Sequence, residues 1–82
     1  MPEIRYHLYL RSGCSLCEAM LQEIGEFSGE LLQQTEIRDV DARTEWQDRY
    51  GRLVPVLTDS QEQEICHYFL DIEQLRSSIS AT

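Results

Sequence analysis

Two cysteines three residues apart stand in the stretch Arg11-Ser12-Gly13-Cys14-Ser15-Leu16-Cys17. Thiols at this spacing can cycle through a disulfide, supply half of a metal site, or fill space as two small buried side chains. The flanking sequence favours the first. Ile4, Tyr6, Leu8 and Leu10 alternate with Arg5, His7 and Tyr9, the period of a β-strand. Ser12-Gly13 interrupts that pattern. From Ser15 onward Leu16, Met20, Ile24, Phe27 and Leu31 recur at helical spacing. Cys14 therefore falls where a strand hands over to a helix, beside the unsatisfied amides of the first turn and at the positive end of the helix dipole. Both effects favour thiolate over thiol, and a cysteine that titrates near ~8.5 when free can be brought several units lower at such a place. Cys17 lies one turn further on and shares a helix face with Cys14, so the two sulfurs can close a disulfide with little backbone movement. The pattern predicts an exposed, nucleophilic Cys14 and a more buried, resolving Cys17. Arg11 adds a cation three residues before Cys14, able to steady a thiolate or attract an anionic thiol; a solvated loop arginine is the plain alternative.

The remaining elements must position this pair. Thr35 to Val40 reads as a second strand, and Asp41 can cap a short helix carrying Trp46 and Tyr50 one turn apart, with Gly51 as its stop. Leu53 to Thr58 reads as a third strand. Its Pro55 marks an edge or a special site, because proline cannot donate to a sheet ladder. Asp59 to Glu62 is a polar turn and Glu64 to Leu70 a fourth strand. Asp71 opens a last helix with a capping signature, and the polar tail Ser77 to Thr82 is expected to fray. His7 is read as a satisfied sheet residue. Phe27, Trp46, Tyr50 and Phe69 are read as core or core edge, and Gly25 and Ser28-Gly29 as weak points in the first helix. The order is β-α-β-α-β-β-α. A parallel pair joined by a crossover followed by a hairpin implies an α/β domain, with a mixed four-stranded sheet and helices on both faces.

Composition bounds the function. The 82 residues, 41% of them hydrophobic, can bury one modest core, so a single domain over 1–82 is expected. The formal net charge is -8, and all seven cations are arginines. A chain this acidic lacks the footprint of a nucleic-acid binder and is repelled by anionic membrane surfaces. No apolar run is long enough to span a membrane, and the N-terminal segment lacks the basic start and apolar centre of a secretory signal. Three cysteines suit a reducing compartment better than a secreted disulfide framework. The expected setting is cytoplasmic, and the expected form a monomer.

Cys14-Ser15-Leu16-Cys17 after the first strand, together with Val54-Pro55 before the third, resembles the thioredoxin superfamily. Within it the chain resembles the glutaredoxins, and in particular the short bacterial glutaredoxin-like proteins of unassigned function, because it begins directly with the strand that feeds the dithiol. The resemblance covers nearly the whole chain. It implies a thioredoxin fold, a cis peptide at Val54-Pro55 facing the dithiol, and a thiol-disulfide oxidoreductase acting on protein or glutathione mixed disulfides. It implies no required cofactor, with glutathione as a possible reductant. Cys14 would be the nucleophile and Cys17 the resolving thiol; Arg11, Ser15, Leu16, Val54, Pro55 and Asp71 would meet the substrate.

The chain also departs from that pattern. Glutaredoxins carry proline and an aromatic between the cysteines, where Ser15 and Leu16 stand here; Ser15 can cap the helix or bond a thiolate, and Leu16 offers an apolar rim. Arg11 keeps the charge of a lysine that helps hold glutathione. His67-Tyr68 falls on a glycine pair of the family, and Asp71 on an acid that receives the glutathione amine. Loss of both glycines removes the close backbone approach they permit, and capping alone accounts for Asp71. Two other readings stay open: a non-catalytic binding module on the same fold, and a metal or iron-sulfur protein. A zinc cluster of Cys14, Cys17, Cys66 and His67 has suitable ligand types, but Cys66 and His67 are strand neighbours and point to opposite faces.

Overall fold

The structure is a computed structural model and describes residues 3–80. Its elements are β1 (Tyr6–Leu10), α1 (Ser15–Phe27), α2 (Gly29–Gln33), β2 (Thr35–Asp39), a 3-10 turn at Val40–Ala42, α3 (Thr44–Tyr50), β3 (Val56–Asp59), β4 (Glu64–His67) and α4 (Ile72–Ser80). The sheet runs β2-β1-β3-β4, with β1 parallel to β2 and antiparallel to β3, and β3 antiparallel to β4. The mixed four-stranded sheet of the expected α/β fold is present, and helices cover both of its faces.

One face is apolar. Tyr6 and Leu8 of β1, Leu57 of β3 and Cys66 of β4 pack with Met20 and Ile24 of α1, Leu31 of α2 and Leu75 of α4. The other face holds Tyr9, Val40, Tyr50 and Val56, with Trp46, Leu53 and Val54 against them. Successive strand residues point to opposite faces, so β1 serves both cores: Leu8 inserts on one side and Tyr9 on the other, each with no exposed surface.

Several elements differ from the sequence reading for local reasons. The helical stripe from Leu16 to Leu31 is two helices, because the Ser28 hydroxyl accepts from the Leu31 amide at 3.1 Å and starts α2 anew. Leu16 is exposed rather than part of the buried stripe, and Ile4 lies outside β1 and is exposed as well. Asp41 does not cap α3. The carboxylate of Asp39 caps the 3-10 turn instead, accepting from the Asp41 amide at 2.9 Å, and Arg43 opens α3 without a side-chain cap. Gly51 does end α3, where a Cβ would come within 2.5 Å of the Gln47 carbonyl oxygen.

Pro55 is not on an edge. It precedes the central strand β3 by one residue, so no ladder bond needs its missing N–H, and the Val54–Pro55 peptide is cis. β4 stops at His67 because Tyr68 turns to φ +63, and Phe69, read as core, is 69% exposed. Asp71 Oδ1 accepts from the Gln74 amide at 3.1 Å and caps α4, which stays helical through Ser80; the rest of the tail expected to fray, 81–82, lies outside the described residues. His7 is buried, but its Nδ1 has no hydrogen-bond partner among the described residues. No described helix is long and apolar enough to cross a membrane.

Candidate active site

The dithiol sits where β1 gives way to α1. Gly13 takes φ +75 with nothing within 4 Å of a built Cβ, so glycine is needed there for the backbone angle and not for space. Cys14 follows in an extended conformation (φ -100, ψ 107) as the N-cap of α1, and its Sγ accepts from the Cys17 amide at 3.1 Å. Sulfur thus takes the place usually held by a serine or aspartate oxygen. Ser15, a candidate cap in the sequence, is instead the first residue of α1 and is exposed. The Cys14 and Cys17 sulfurs are bonded, with their Cα atoms 5.2 Å apart, inside the range a disulfide requires. Cys14 is half-buried rather than exposed as expected, whereas Cys17 is 2% exposed, so the two sulfurs differ in access.

Sheet topology brings other candidates to the same end. Tyr9 pairs with Val56 and Val56 with His67. The loop after β1, the segment before β3 and the chain leaving β4 therefore emerge side by side. Leu16 stands 38% exposed on the first turn of α1; Pro55 is buried and Val54 half-buried in the second core. Among the described residues neither the N–H nor the C=O of Val54 has a hydrogen-bond partner. The Pro55 carbonyl accepts from the Tyr68 amide at 2.9 Å.

Arg11 is committed to a different task from the one its charge suggested. Nε and Nη2 donate to the two carboxylate oxygens of Asp41 at 3.2 and 3.1 Å, and Nη1 donates to the Gly51 carbonyl at 3.2 Å. These bonds tie the loop before Cys14 to the 3-10 turn and to the end of α3. Asp71 serves its helix, as described above.

Two members of the zinc cluster considered from sequence are engaged elsewhere. Cys66 lies in the apolar core, where burial pushes its thiol pKa up, and the His67 ring bonds to Glu64 at 2.8 Å. No group of three potential ligands among the described residues is placed to hold a metal ion. A recess of about 670 Å³ opens at the opposite end of the sheet, between Arg5, Asp59, Gln63 and Ser78, and includes none of the dithiol-end residues.

Sequence reasoning missed a polar cluster on the α3 face of the sheet, which reaches from β1 and β2 to the β3–β4 turn. The Tyr9 hydroxyl donates to Glu62 Oε1 at 2.8 Å, and Arg38 Nη1 donates to both the Tyr9 oxygen (2.7 Å) and Glu62 Oε1 (3.1 Å). The Arg38 guanidinium lies 5.1 Å from the Trp46 ring centre, and Tyr9 stacks on Tyr50 at 4.0 Å. Burial, with the bond to Glu62, raises the Tyr9 pKa well above its ordinary value; the hydrogen bond from Tyr9, with Arg38, lowers that of Glu62. Glu62 holds φ +62, and no pattern in the sequence marks a glutamate for that conformation. Tyr9 is thus wholly buried in the second core, with its hydroxyl held by Glu62 and Arg38.

Fold and dithiol together define a glutaredoxin-like protein. The chain belongs to the glutaredoxin-like domain family (DUF836), which it matches over residues 5–80. It is similar to protein Ne2328 from Nitrosomonas europaea, solved in solution by NMR, with a TM-score of 0.79 and 28% identity over 95% of this chain and 93% of that one. It is also similar to the X-ray structure of protein XcR50 from X. campestris, with a TM-score of 0.69 and 26% identity over 94% and 97% of the two chains. No curated protein matches it.

Proposed function

We propose that this chain is a thiol-disulfide oxidoreductase that reduces protein or glutathione mixed disulfides with Cys14 and Cys17. The observation that carries the reading is the sulfur of half-buried Cys14 capping α1, bonded to that of the buried Cys17. Once the pair is reduced, the Cys17 amide and the helix dipole favour a thiolate at Cys14. That thiolate attacks one sulfur of a substrate disulfide, forms a mixed disulfide and releases the other sulfur as a thiolate. Cys17, deprotonated, then attacks the Cys14 sulfur, releases the second substrate thiolate and leaves the Cys14–Cys17 disulfide. Two electrons and two protons from a thiol donor, for which glutathione is the candidate, restore the dithiol.

The two sulfurs suffice for these steps without a metal or organic cofactor. The unpaired backbone of Val54 supports docking of an extended substrate segment by strand addition. Exposed Leu16 and Ser15 lie on the α1 side of that approach, and buried Pro55 fixes the course of the backbone beside it. Arg11 acts on the loop rather than on the substrate, and Asp71 keeps its capping role. A monomer working in the reducing cytoplasm on disulfide-bearing proteins fits the small acidic chain.

The test is disulfide reduction with glutathione and, separately, with a thioredoxin-type reductase as electron source. Cys14→Ser is expected to abolish turnover, and Cys17→Ser to trap mixed disulfides or leave only a monothiol reaction. Equal turnover by Cys14→Ser and the wild type, or alkylation of Cys14 with the pH dependence of an ordinary thiol, would overturn the assignment.

A further inference from the structure

The chain leaving β4 holds a backbone feature that the dithiol chemistry does not require. Tyr68 sits at φ +63, and the Phe69 amide donates to the His67 carbonyl at 2.7 Å. The bond closes a three-residue γ-turn with a tyrosine at its centre. A positive central φ suits glycine; a bulky side chain there is sterically costly and persists only where the surroundings hold it. What holds Tyr68 is directed at one loop. Its N–H donates to the Pro55 carbonyl at 2.9 Å, and its hydroxyl donates to the Arg52 carbonyl at 3.1 Å. The His67 ring meets its ring edge-on at 4.7 Å. The tyrosine therefore spans the Arg52–Pro55 segment that carries the unpaired Val54 backbone, and it remains 39% exposed. The same turn throws Phe69 outward to 69% exposure, the highest among the exposed large hydrophobic residues described.

Strand order places this turn on one side of the Val54–Pro55 segment and Leu16 on the other, since β3 lies between β1 and β4. Three exposed apolar residues thus stand on the two segments that flank one short stretch of free backbone. The charge balance points the same way. The chain carries -8 overall, and Arg11, the cation closest in sequence before Cys14, is held by both oxygens of Asp41. Glutathione is a small anionic tripeptide with no large apolar side chain, so this surface offers it little. Arg52 is exposed at the start of the loop, and its charge would attract a carboxylate on either kind of substrate without discriminating between them.

We infer that the Tyr68–Phe69 turn is the specificity element of the dithiol site, and that it selects an extended protein segment with an apolar residue beside its disulfide over a glutathione mixed disulfide. This rests on the oxidoreductase reading above. Tyr68 and Phe69 take no part in sulfur exchange; they position the substrate.

Single-turnover oxidation of the pre-reduced protein tests the inference without any choice of reductant. The disulfides are a peptide cystine flanked by leucine or phenylalanine, the mixed disulfide of glutathione with a cysteine peptide, and hydroxyethyl disulfide as a small neutral reference. Tyr68→Gly keeps the turn, because glycine accepts φ +63, and removes the ring; Phe69→Ser changes an exposed position. The wild type should react faster with the apolar peptide than with the glutathione disulfide. Each variant should lose about tenfold or more on the apolar peptide while its rate with hydroxyethyl disulfide stays put. An unchanged ratio between the two peptide substrates, an equal fall on all three, or a wild-type preference for the glutathione disulfide overturns the specificity assignment alone. A wild type inert toward all three disulfides overturns the oxidoreductase reading and this one with it.

Discussion

The two faces of the sheet are built by different means. On the face covered by α1, α2 and α4, Leu8, Met20, Ile24, Leu57 and Leu75 fill the core and are at most 1% exposed. On the face covered by α3, Tyr9, Val40 and Val56 are as deeply buried, but a polar clasp of Tyr9, Arg38 and Glu62 lies over them. The first face is held by shape and by removal of apolar surface from water, which is strong and has no direction. The second adds directed bonds that join the β3–β4 turn, β2 and β1, and whose worth depends on charge. Each face holds the dithiol in its own way. The apolar one anchors α1 through Met20 and Ile24, the helix that carries Cys17. The polar one anchors the loop before Cys14 through Arg11, Asp41 and Gly51.

The contrast breaks most visibly on the apolar face. Ile24→Ala should cost about 2–5 kcal/mol of unfolding free energy, the range for a fully buried aliphatic truncation, read from urea titration. Added salt should leave that loss nearly unchanged. A loss under about 1 kcal/mol would mean that α1 is not anchored there.

A smaller effect is expected across the sheet. Arg38→Met keeps a stem against Trp46 but removes the bonds to Tyr9, Glu36 and Glu62. The guanidinium is partly solvated, so the expected loss is about 1–2 kcal/mol, shrinking as salt screens the wild-type charges. A salt-independent loss would assign the clasp to packing instead.

The smallest effect is in pH. Burial, and then the Arg38 charge, lower the pKa of His7 below 6.5. As pH falls, the unfolded chain therefore takes up this proton before the folded one does. Stability is intact above about pH 6.5 and declines below it. The contribution of Glu62, whose pKa is also lowered, is lost further down, beginning as pH falls through the ordinary carboxylate value of 4.5 and continuing toward the lowered one. His7→Val, which removes the titrating group, should flatten the change in Tm between pH 6.5 and 5.5. An undiminished slope there would move the effect to another group.

The candidate site was legible in the sequence to the extent that it is local. Strand alternation, Gly13 and the helical spacing after Ser15 place Cys14 at a helix start, and the three-residue interval sets Cys17 beside it. What the sequence left dark is non-local. A lone arginine before a cysteine looks available for a thiolate; only the approach of Asp41 and Gly51, thirty and forty residues on, shows that it is engaged. Phe69 reads as core from its type and from the strand before it. A γ-turn at Tyr68, fixed by bonds to Arg52 and Pro55, reverses that. Tyr9 looks like a strand aromatic, with no hint of the partners at Arg38 and Glu62.

The sequence by itself determined the alternation of β1, the Asp71 cap that starts α4 and the dithiol at the opening of α1, because each depends on the periodicity and capping chemistry of neighbours along the chain. Only the tertiary structure decided which charges are neutralised, which aromatics face water, and that the segments before β3 and after β4 border the dithiol. Those outcomes depend on contacts between residues far apart in sequence, and a linear pattern carries no record of who meets whom across a sheet.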